Sequence, residues 1–597
     1  MRRQICLMAI MTCLLSSPSA ASAATRVDAN DDRITGEDVS WVRHDGGSDA
    51  AIRHCNDDAT NPAPDPDQGD DDLDSNDGGS RRQDNEPYSV ADPTDSDVVV
   101  SGWNDYCLTD FEASWQGFGF SLDAGETWTN SFVPGYPMDT SEEGQQSPIY
   151  GNRFAGDPIA AFDNDGNLFV GGISFNRVGA TNGHVYVATY LERDMPSGYP
   201  VDYRRTRIVG RGTPSRNFQG IFQDKPMLET DRTGGRFDGN VYVCWSRFTG
   251  FGQNKIYFSR SSDLGRTFSE PTRISRSEEV VGVQGCDIAV EADGDVYVTY
   301  RTFATGNKPN GLAFNRSTDG GQTFSRSRLI RSITPYNPFD SDRDCGDGAE
   351  LCPSEFVFAR VPLEPRSTAD PTGELPGVFL TYNAIRPGTT EESLTTYSSA
   401  ASGQVGQSLV YVVRTVNNGR TWSRPVAVEA AAKGHQFFSD IDAEAGVLGA
   451  VWQDSRTDPC YSVQLPIGNT DEAMSCGTNI VNTFVAVSTN GTSFAASAKA
   501  SDVGHQFQYE MFGDREVPFQ GDYNWIDLVQ AAGGLFGYFT WTDNRNVGEG
   551  TDPREDTQDG FDVKQCRVAV EGGFAADTCP NAGGLDQNIY GNSLRVR

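Results

Sequence analysis

From Asn85 onward, short runs that alternate apolar and polar residues are separated by Asp, Asn and Gly. A period of two marks half-buried strands, and a DG or NG pair between two such runs marks a tight hairpin. Seven segments share this plan, each opened by an acid: Glu86, Asp157, Asp224, Asp287, Glu355, Asp440 and Asp522. They recur every 63 to 85 residues. Most are followed by a second hairpin, as in NKIYFSRSSDLGRTFSEPTRIS. Two hairpins make a four-stranded antiparallel sheet, and sheets repeated at such a period pack radially. The pattern predicts an all-β fold over residues 85–597, a β-propeller of four-stranded blades. The count favours seven blades, with six as the alternative.

The second hairpins carry the most specific motif. Ser121, Asp123, Gly125, Thr127 and Trp128 recur as Ser261, Asp263, Gly265, Thr267 and Phe268, and as Ser317, Asp319, Gly321, Thr323 and Phe324. A looser copy runs from Thr415 through Asn417 and Gly419 to Thr421 and Trp422, and a shortened one from Ser488 to Phe494. Asp or Asn folds back onto following backbone N–H groups, Gly takes positive φ, and the ring plugs the sheet end. These motifs resemble Asp-boxes, and the chain from Asn85 to Arg597 resembles the sialidase (neuraminidase) superfamily of BNR-repeat propellers. The resemblance implies a propeller with Asp-box turns on the hairpins between third and fourth strands. It also implies an exo-acting glycoside hydrolase in which three arginines bind a sugar carboxylate, a Tyr is the nucleophile and an Asp the acid/base. Carried onto this chain by position, those roles fall to Arg247, Arg456 and Arg545, to Tyr523 beside Asp522, and to Asp224. The family's F/Y-R-I-P motif does not precede the first Asp-box; the segment Tyr203 to Val209 is its nearest echo.

Propeller geometry says where chemistry would gather. The first strand of each blade runs from the top face down the central channel, so the opening acids meet at the top. The second strands return there, ending in Asp105, Arg177, Arg247, Arg301, Arg386, Arg456 and Arg545. Three readings follow. The acids staple neighbouring blades, or they belong to a glycosidase site, or the ring Glu86, Asp157, Asp287, Glu355 and Asp440 holds a cation. Calcium suits such hard oxygen ligands, although no reading of the enzyme requires a cofactor. The expected function is recognition of extracellular glycans with sialidase-type hydrolysis. The alternative is a non-catalytic propeller that binds carbohydrate or protein. Trp103, Trp245, Trp452 and Trp541 end second strands and suit inter-sheet packing better than a sugar platform.

The N-terminus changes the compartment. Arg2 and Arg3, an apolar run from Ile5 to Leu15 and the small residues Ala21, Ser22 and Ala23 make a secretory signal over 1–23. Residues 24–84 read as an acidic, largely disordered linker, with nine Asp between Asp57 and Asp77. Ten further cysteines fall into neighbours, Cys55/Cys107, Cys244/Cys286, Cys345/Cys352, Cys460/Cys476 and Cys566/Cys579, as disulfides of an oxidising compartment. A formal charge of −35 repels phosphate backbones and anionic membranes. Nothing beyond the signal is apolar for long enough to span a bilayer. The product is expected to be a released monomer whose partner is an extracellular glycan or glycoprotein.

Overall fold

The structure, a computed structural model, describes residues 27, 32–35, 40–60, 84–108, 113–176, 183–192, 201–214, 220–250, 253–276, 282–341, 345–346, 361–468, 478–507, 520–531, 533–545, 567–570, 573–577 and 587–596. Seven antiparallel sheets surround one axis. Blade 1 comprises Asp84–Ala91, Val99–Asp105, Trp115–Ser121 and Thr129–Phe132, and blade 2 Phe154–Phe162, Leu168–Phe175, His184–Glu192 and Val201–Gly210. Blade 3 comprises Ile221–Thr230, Val241–Thr249, Gln253–Ser261 and Thr272–Arg273, and blade 4 Val283–Val290, Val296–Thr302, Gly311–Ser317 and Arg328–Ser332. Blade 5 comprises Arg366–Ala369, Val378–Ile385, Ser408–Thr415 and Val426–Ala427, and blade 6 Gln436–Glu444, Val447–Asp454, Ile480–Ser488 and Ala498–Lys499. Blade 7 takes Trp525–Ala531, Gly534–Asp543 and Asn588–Val596 from the C-terminal part of the chain. Its fourth strand, Asp32–Arg33, comes from the N-terminal part and pairs with Asn588–Val596. Each innermost strand touches the next, and Trp525–Ala531 touches Asp84–Ala91, so the ring closes. The count of seven repeats is the count of blades.

Alternation explains the core. One face of each sheet packs on the next blade, so Trp103, Trp245 and Trp452 are fully buried and Trp541 is 1% exposed. They are packing residues, as their place in the strands predicts. The Ser-Asp-Gly-Thr turns build themselves from local hydrogen bonds. Asp319 accepts from the Thr323 N–H at 2.8 Å and its hydroxyl at 2.6 Å, while Ser317 Oγ accepts the Gly321 N–H at 2.9 Å. The Ala124 N–H donates to the Asp97 carbonyl at 2.9 Å. These turns therefore lie at the same end as the turns between first and second strands, leaving the other end for the starts of the inner strands.

Two sequence expectations differ from the structure. Part of the segment read as linker is built into the ring. Ser40–Trp41 runs parallel to Thr129–Phe132, and the helix Ala50–Thr60 is tied to blade 1 through Cys55–Cys107. The reason is the buried side chains of Ile34, Trp41, Ala51 and Ile52, apolar residues outnumbered in the sequence by their acidic neighbours. In blade 5 the innermost strand is Arg366–Ala369 rather than the apolar run around Glu355, which lies outside the described residues. A second disulfide, Cys244–Cys286, joins blades 3 and 4, and Cys460 is also disulfide-bonded. Cys352, Cys476, Cys566 and Cys579, the signal at 1–23 and residues 61–83 lie outside the described residues. No described helix is long and apolar enough to cross a membrane.

Candidate functional site

Three inner strands enter the axis through the same irregularity. Their ladders break between Asn85 and Tyr88, Gly156 and Ile159, and Asp224 and Met227. Each bulge holds a charged residue followed by proline: Glu86-Pro87, Asp157-Pro158 and Lys225-Pro226. Proline has no N–H to give a ladder, so a bulge is where a strand tolerates it. The charged residues sit at φ of 57°, 52° and 48°, a left-handed conformation costly for side chains with a Cβ. Blade 4 has Gly285 at the matching break.

The strained residues meet Tyr523, 5% exposed, two positions before the inner strand of blade 7. Its hydroxyl donates to the Pro158 carbonyl at 3.1 Å. The Arg366 guanidinium carbon lies 4.7 Å from its ring centre and 5.3 Å from that of Trp525. Burial pushes the Tyr523 phenol well above its ordinary value, and the charges of Glu86 and Asp157 push it further. Glu86 accepts from Asn104 Nδ2 at 2.8 Å, and Asn104 Oδ1 accepts the Asp157 N–H at 3.1 Å. The Lys225 ammonium is clasped by Asp522 and by Glu364, the latter at 2.5 Å. Burial, then Asp224, then Glu86 hold the Asp157 carboxyl well above the carboxylate range.

A second level of acids lies deeper and fastens blade to blade. Asp440 accepts the Ile526 N–H at 2.8 Å, Asp442 that of Leu528 at 2.8 Å and Asp527 that of Ala91 at 2.8 Å. Asp287 accepts the Ser367 N–H, and Asp157 accepts that of Lys225 at 2.8 Å. Asp287, Asp440, Asp442 and Asp527 line a cavity of about 60 Å³ together with Glu229, Arg232 and Arg366. Among the described residues, the one set of three acids whose oxygens close to within 4.8 Å is Glu291, Asp293 and Asp295, in a turn at the opposite end. No three of Glu86, Asp157, Asp287 and Asp440 do so.

The nominated arginines occupy a different place from Tyr523. Arg247 lies over the Tyr257 ring at 3.7 Å and donates to Gln223 at 3.1 Å. Arg456 pairs with Asp454 at 2.5 Å and Glu429 at 2.8 Å, and stacks on Phe484. Arg545 pairs with Asp543 at 2.7 Å and Asp502 at 2.8 Å, over Tyr590. Each is engaged beside the third strand of its own blade. Asp224, Asp522 and Tyr523 are the nominated residues brought together. His435 and His505 accept backbone N–H groups through Nδ1, from Ser408 at 3.2 Å and Asn544 at 2.9 Å. Sequence reading missed Lys225, Glu364 and Arg366. The charged-residue-Pro pair shared by three inner strands is the signal that finds Lys225. A four-residue strand reading Arg-Ser-Thr-Ala gives no such signal for Arg366.

Burial pushes Asp440 up to about 8 and Glu444 up to about 7. Unfolded carboxyls titrate near ~4, so the folded state holds extra protons between that pH and about 8, and stability falls as pH rises through this window. Each group contributes at most about 1.4 kcal/mol per pH unit. The urea midpoint is expected to be lower at pH 8.5 than at pH 5.5, and Asp440→Asn should flatten the decline. A midpoint that rises over this range would contradict the assignment.

No protein-family model matches the sequence, and a search of curated proteins finds no relative. Among solved structures the chain is similar to the Hadza microbial sialidase Hz136, at 14% identity and TM-score 0.37, over 63% of this chain and 64% of that one. It is similar to the leech intramolecular trans-sialidase at 13% identity and TM-score 0.37, over 62% of this chain and 65% of that one. For the Penicillium chrysogenum alpha-L-arabinanase the values are 13% and 0.37, over 62% and 89%. The chain thus spans less than two thirds of either sialidase.

Proposed function

We propose that this chain is a secreted, glycan-recognising propeller of the Asp-box type, and that its strained end hydrolyses glycosides in the exo-acting, sialidase manner. The observation that supports it is the turning of Glu86, Asp157 and Lys225 into strained backbone positions around the buried Tyr523. Strain of this kind persists where surrounding structure enforces it, and it clusters at sites of chemistry. In this reading the Tyr523 oxygen bonds to the anomeric carbon as the glycosidic C–O bond breaks. Glu86 takes the phenolic proton, and Asp224, entering the step as the acid, protonates the leaving oxygen. Water then attacks the glycosyl-tyrosine, Asp224 receives the water's proton, and the phenol recovers its own from Glu86. Arg366 is the cation beside the nucleophile. The reading requires no metal.

A panel of 4-methylumbelliferyl glycosides, the sialoside included, tests this. At least one should release fluorophore, and Asp224→Asn should abolish release. If all stay dark while glycans on an array are bound, the second reading stands: a non-catalytic propeller engaging an extracellular glycan or glycoprotein. The observation that favours it is the use of five acids as acceptors for backbone N–H groups of the next blade.

A further inference from the structure

Charge is unevenly spread around the ring. The whole chain carries 48 Lys and Arg against 83 Asp and Glu, yet residues 201–332 carry 20 against 14. That stretch runs from the fourth strand of blade 2 to the fourth strand of blade 4. A fourth strand is the outermost of its blade, so one of its edges is left unpaired. Arg204, Arg205 and Arg207 lie on the fourth strand of blade 2, Arg273 on that of blade 3 and Arg328 on that of blade 4. Arg205 is half-buried and the other four are exposed.

Four guanidiniums crowd together at one point of this edge. The ladder of blade 2 slips between Tyr203 and Arg205, and a bulge of this kind re-aims side chains that would otherwise alternate between faces. Arg204 and Arg207 approach Arg205 from the same strand, and exposed Arg266 approaches it from the Ser-Asp-Gly-Thr turn of blade 3. Burial, then the charges of Arg266, Arg207 and Arg204, hold the Arg205 guanidinium below its ordinary value, with Asp263 opposing them. Arg204 pairs with Asp202 at 3.1 Å. Among the described residues no carboxylate forms an ion pair with Arg205, Arg207 or Arg266. Arg207 instead donates to the Arg266 carbonyl at 3.0 Å, Arg273 to that of Ser275 at 3.1 Å and Arg328 to that of Arg420 at 3.3 Å. A carbonyl satisfies an N–H without cancelling the charge. On blades 6 and 7 the arginines meet carboxylates, Arg456 with Asp454 and Arg545 with Asp543. In a chain with so many acids to spare, guanidiniums left unpaired on an outer edge call for an anion from outside.

The setting selects the ligand. An exposed ion pair contributes about 0–1 kcal/mol, so a single small anion binds weakly on an open edge, whereas a string of anions adds pair to pair. A guanidinium presents two parallel N–H donors that match the two oxygens of a carboxylate. A nucleic-acid duplex or an anionic bilayer is broad and would also press on surfaces where acids prevail. A single polysaccharide chain is narrow and meets fewer of them. We infer that the outer edge of blades 2 to 4 binds a polysaccharide bearing carboxylates, a polyuronate, with the cluster around Arg205 as its main contact. This surface is separate from the site at Tyr523 and requires no chemistry there.

Binding of the full chain to immobilised polygalacturonate, followed by biolayer interferometry at several salt concentrations, tests it. The Kd should be micromolar at about 50 mM salt and rise at least about tenfold by about 300 mM, since exposed pairs are screened. Free galacturonate should show no binding up to about 50 mM. Arg205→Gln combined with Arg207→Gln should weaken binding to the polymer at least about tenfold. Arg595→Gln, which removes an exposed arginine from blade 7, should leave it unchanged. Melting temperatures at the parent value establish that the variants fold, and Arg266→Gln, exposed on its turn, carries the test should the double variant melt early. No binding to the polymer, equal weakening in Arg595→Gln, or tighter binding to dextran sulfate, duplex DNA or phosphatidylglycerol vesicles would each overturn the inference. Sedimentation showing that Arg205 and Arg207 join copies of the chain, with polygalacturonate ignored, would overturn it too.

Discussion

Under the proposed reaction, Tyr523→Phe is expected to lower kcat/KM on a hydrolysed glycoside by at least about 10³-fold, with the fold retained. The substitution removes one oxygen. In the folded state that oxygen makes a hydrogen bond to the Pro158 carbonyl, so the stability cost is about 1 kcal/mol. In the proposed reaction the same oxygen bonds to the sugar, and no neighbour among the described residues duplicates it. The phenol is a poor nucleophile where it lies, because burial and the charges of Glu86 and Asp157 favour its neutral form. In the proposed step Glu86 receives its proton as the bond forms, so Glu86→Gln should reproduce much of the loss. Initial rates across the glycoside panel, with melting curves for both variants, measure this. Turnover within a few-fold of the parent protein in Tyr523→Phe would remove Tyr523 from the mechanism.

Arg366→Met should destabilise the propeller by about 3–5 kcal/mol, read as a fall in the urea midpoint. Arg366 is 2% exposed on the inner strand of blade 5. Burial by itself would favour its neutral form, but Asp440, Asp287 and Glu364 outweigh that and raise its pKa. Methionine fills much of the space and leaves Asp440 and Asp287 without their cation, while Glu364 keeps Lys225. Because the stranded acids can protonate, the loss should be larger at pH 8.5 than at pH 5.5. The double variant Arg366→Met with Asp440→Asn should recover part of it, and that non-additivity separates a charge effect from lost packing. Equal losses at both pH values, with strict additivity, would show that Arg366 acts through its volume alone.

The seven sheets were legible because their information is local. Hairpin alternation needs only neighbouring residues, and the turn at Asp319 draws its partners from within four positions, Ser317 to Thr323. Three of its copies read cleanly and two more by analogy, which was enough to place the blades and the two ends of the ring. The disulfides Cys55–Cys107 and Cys244–Cys286 followed from proximity in sequence, with separations of 52 and 42 residues. Where local composition misled, the cause was again local. Acidic neighbours masked Ile34 and Trp41, and a polar four-residue strand did not look like the centre of a propeller.

The candidate site belongs to the other category. Aligning the opening acids suggested one ring, but the bulges at Glu86, Asp157 and Lys225 set a register that composition does not reveal. They separate the acids around Tyr523 from the deeper Asp287 and Asp440. Lys225 and Asp522 are 297 residues apart in the chain and form an ion pair. Arg366 reaches Tyr523 across more than 150 residues of intervening chain. By itself, then, the sequence determined the repeating sheet, the number of blades and the turns that staple them, because those depend on hydrogen bonds and alternation within a few residues. Only the closed ring decided which charges meet at its centre, because that depends on how distant blades lean on one another.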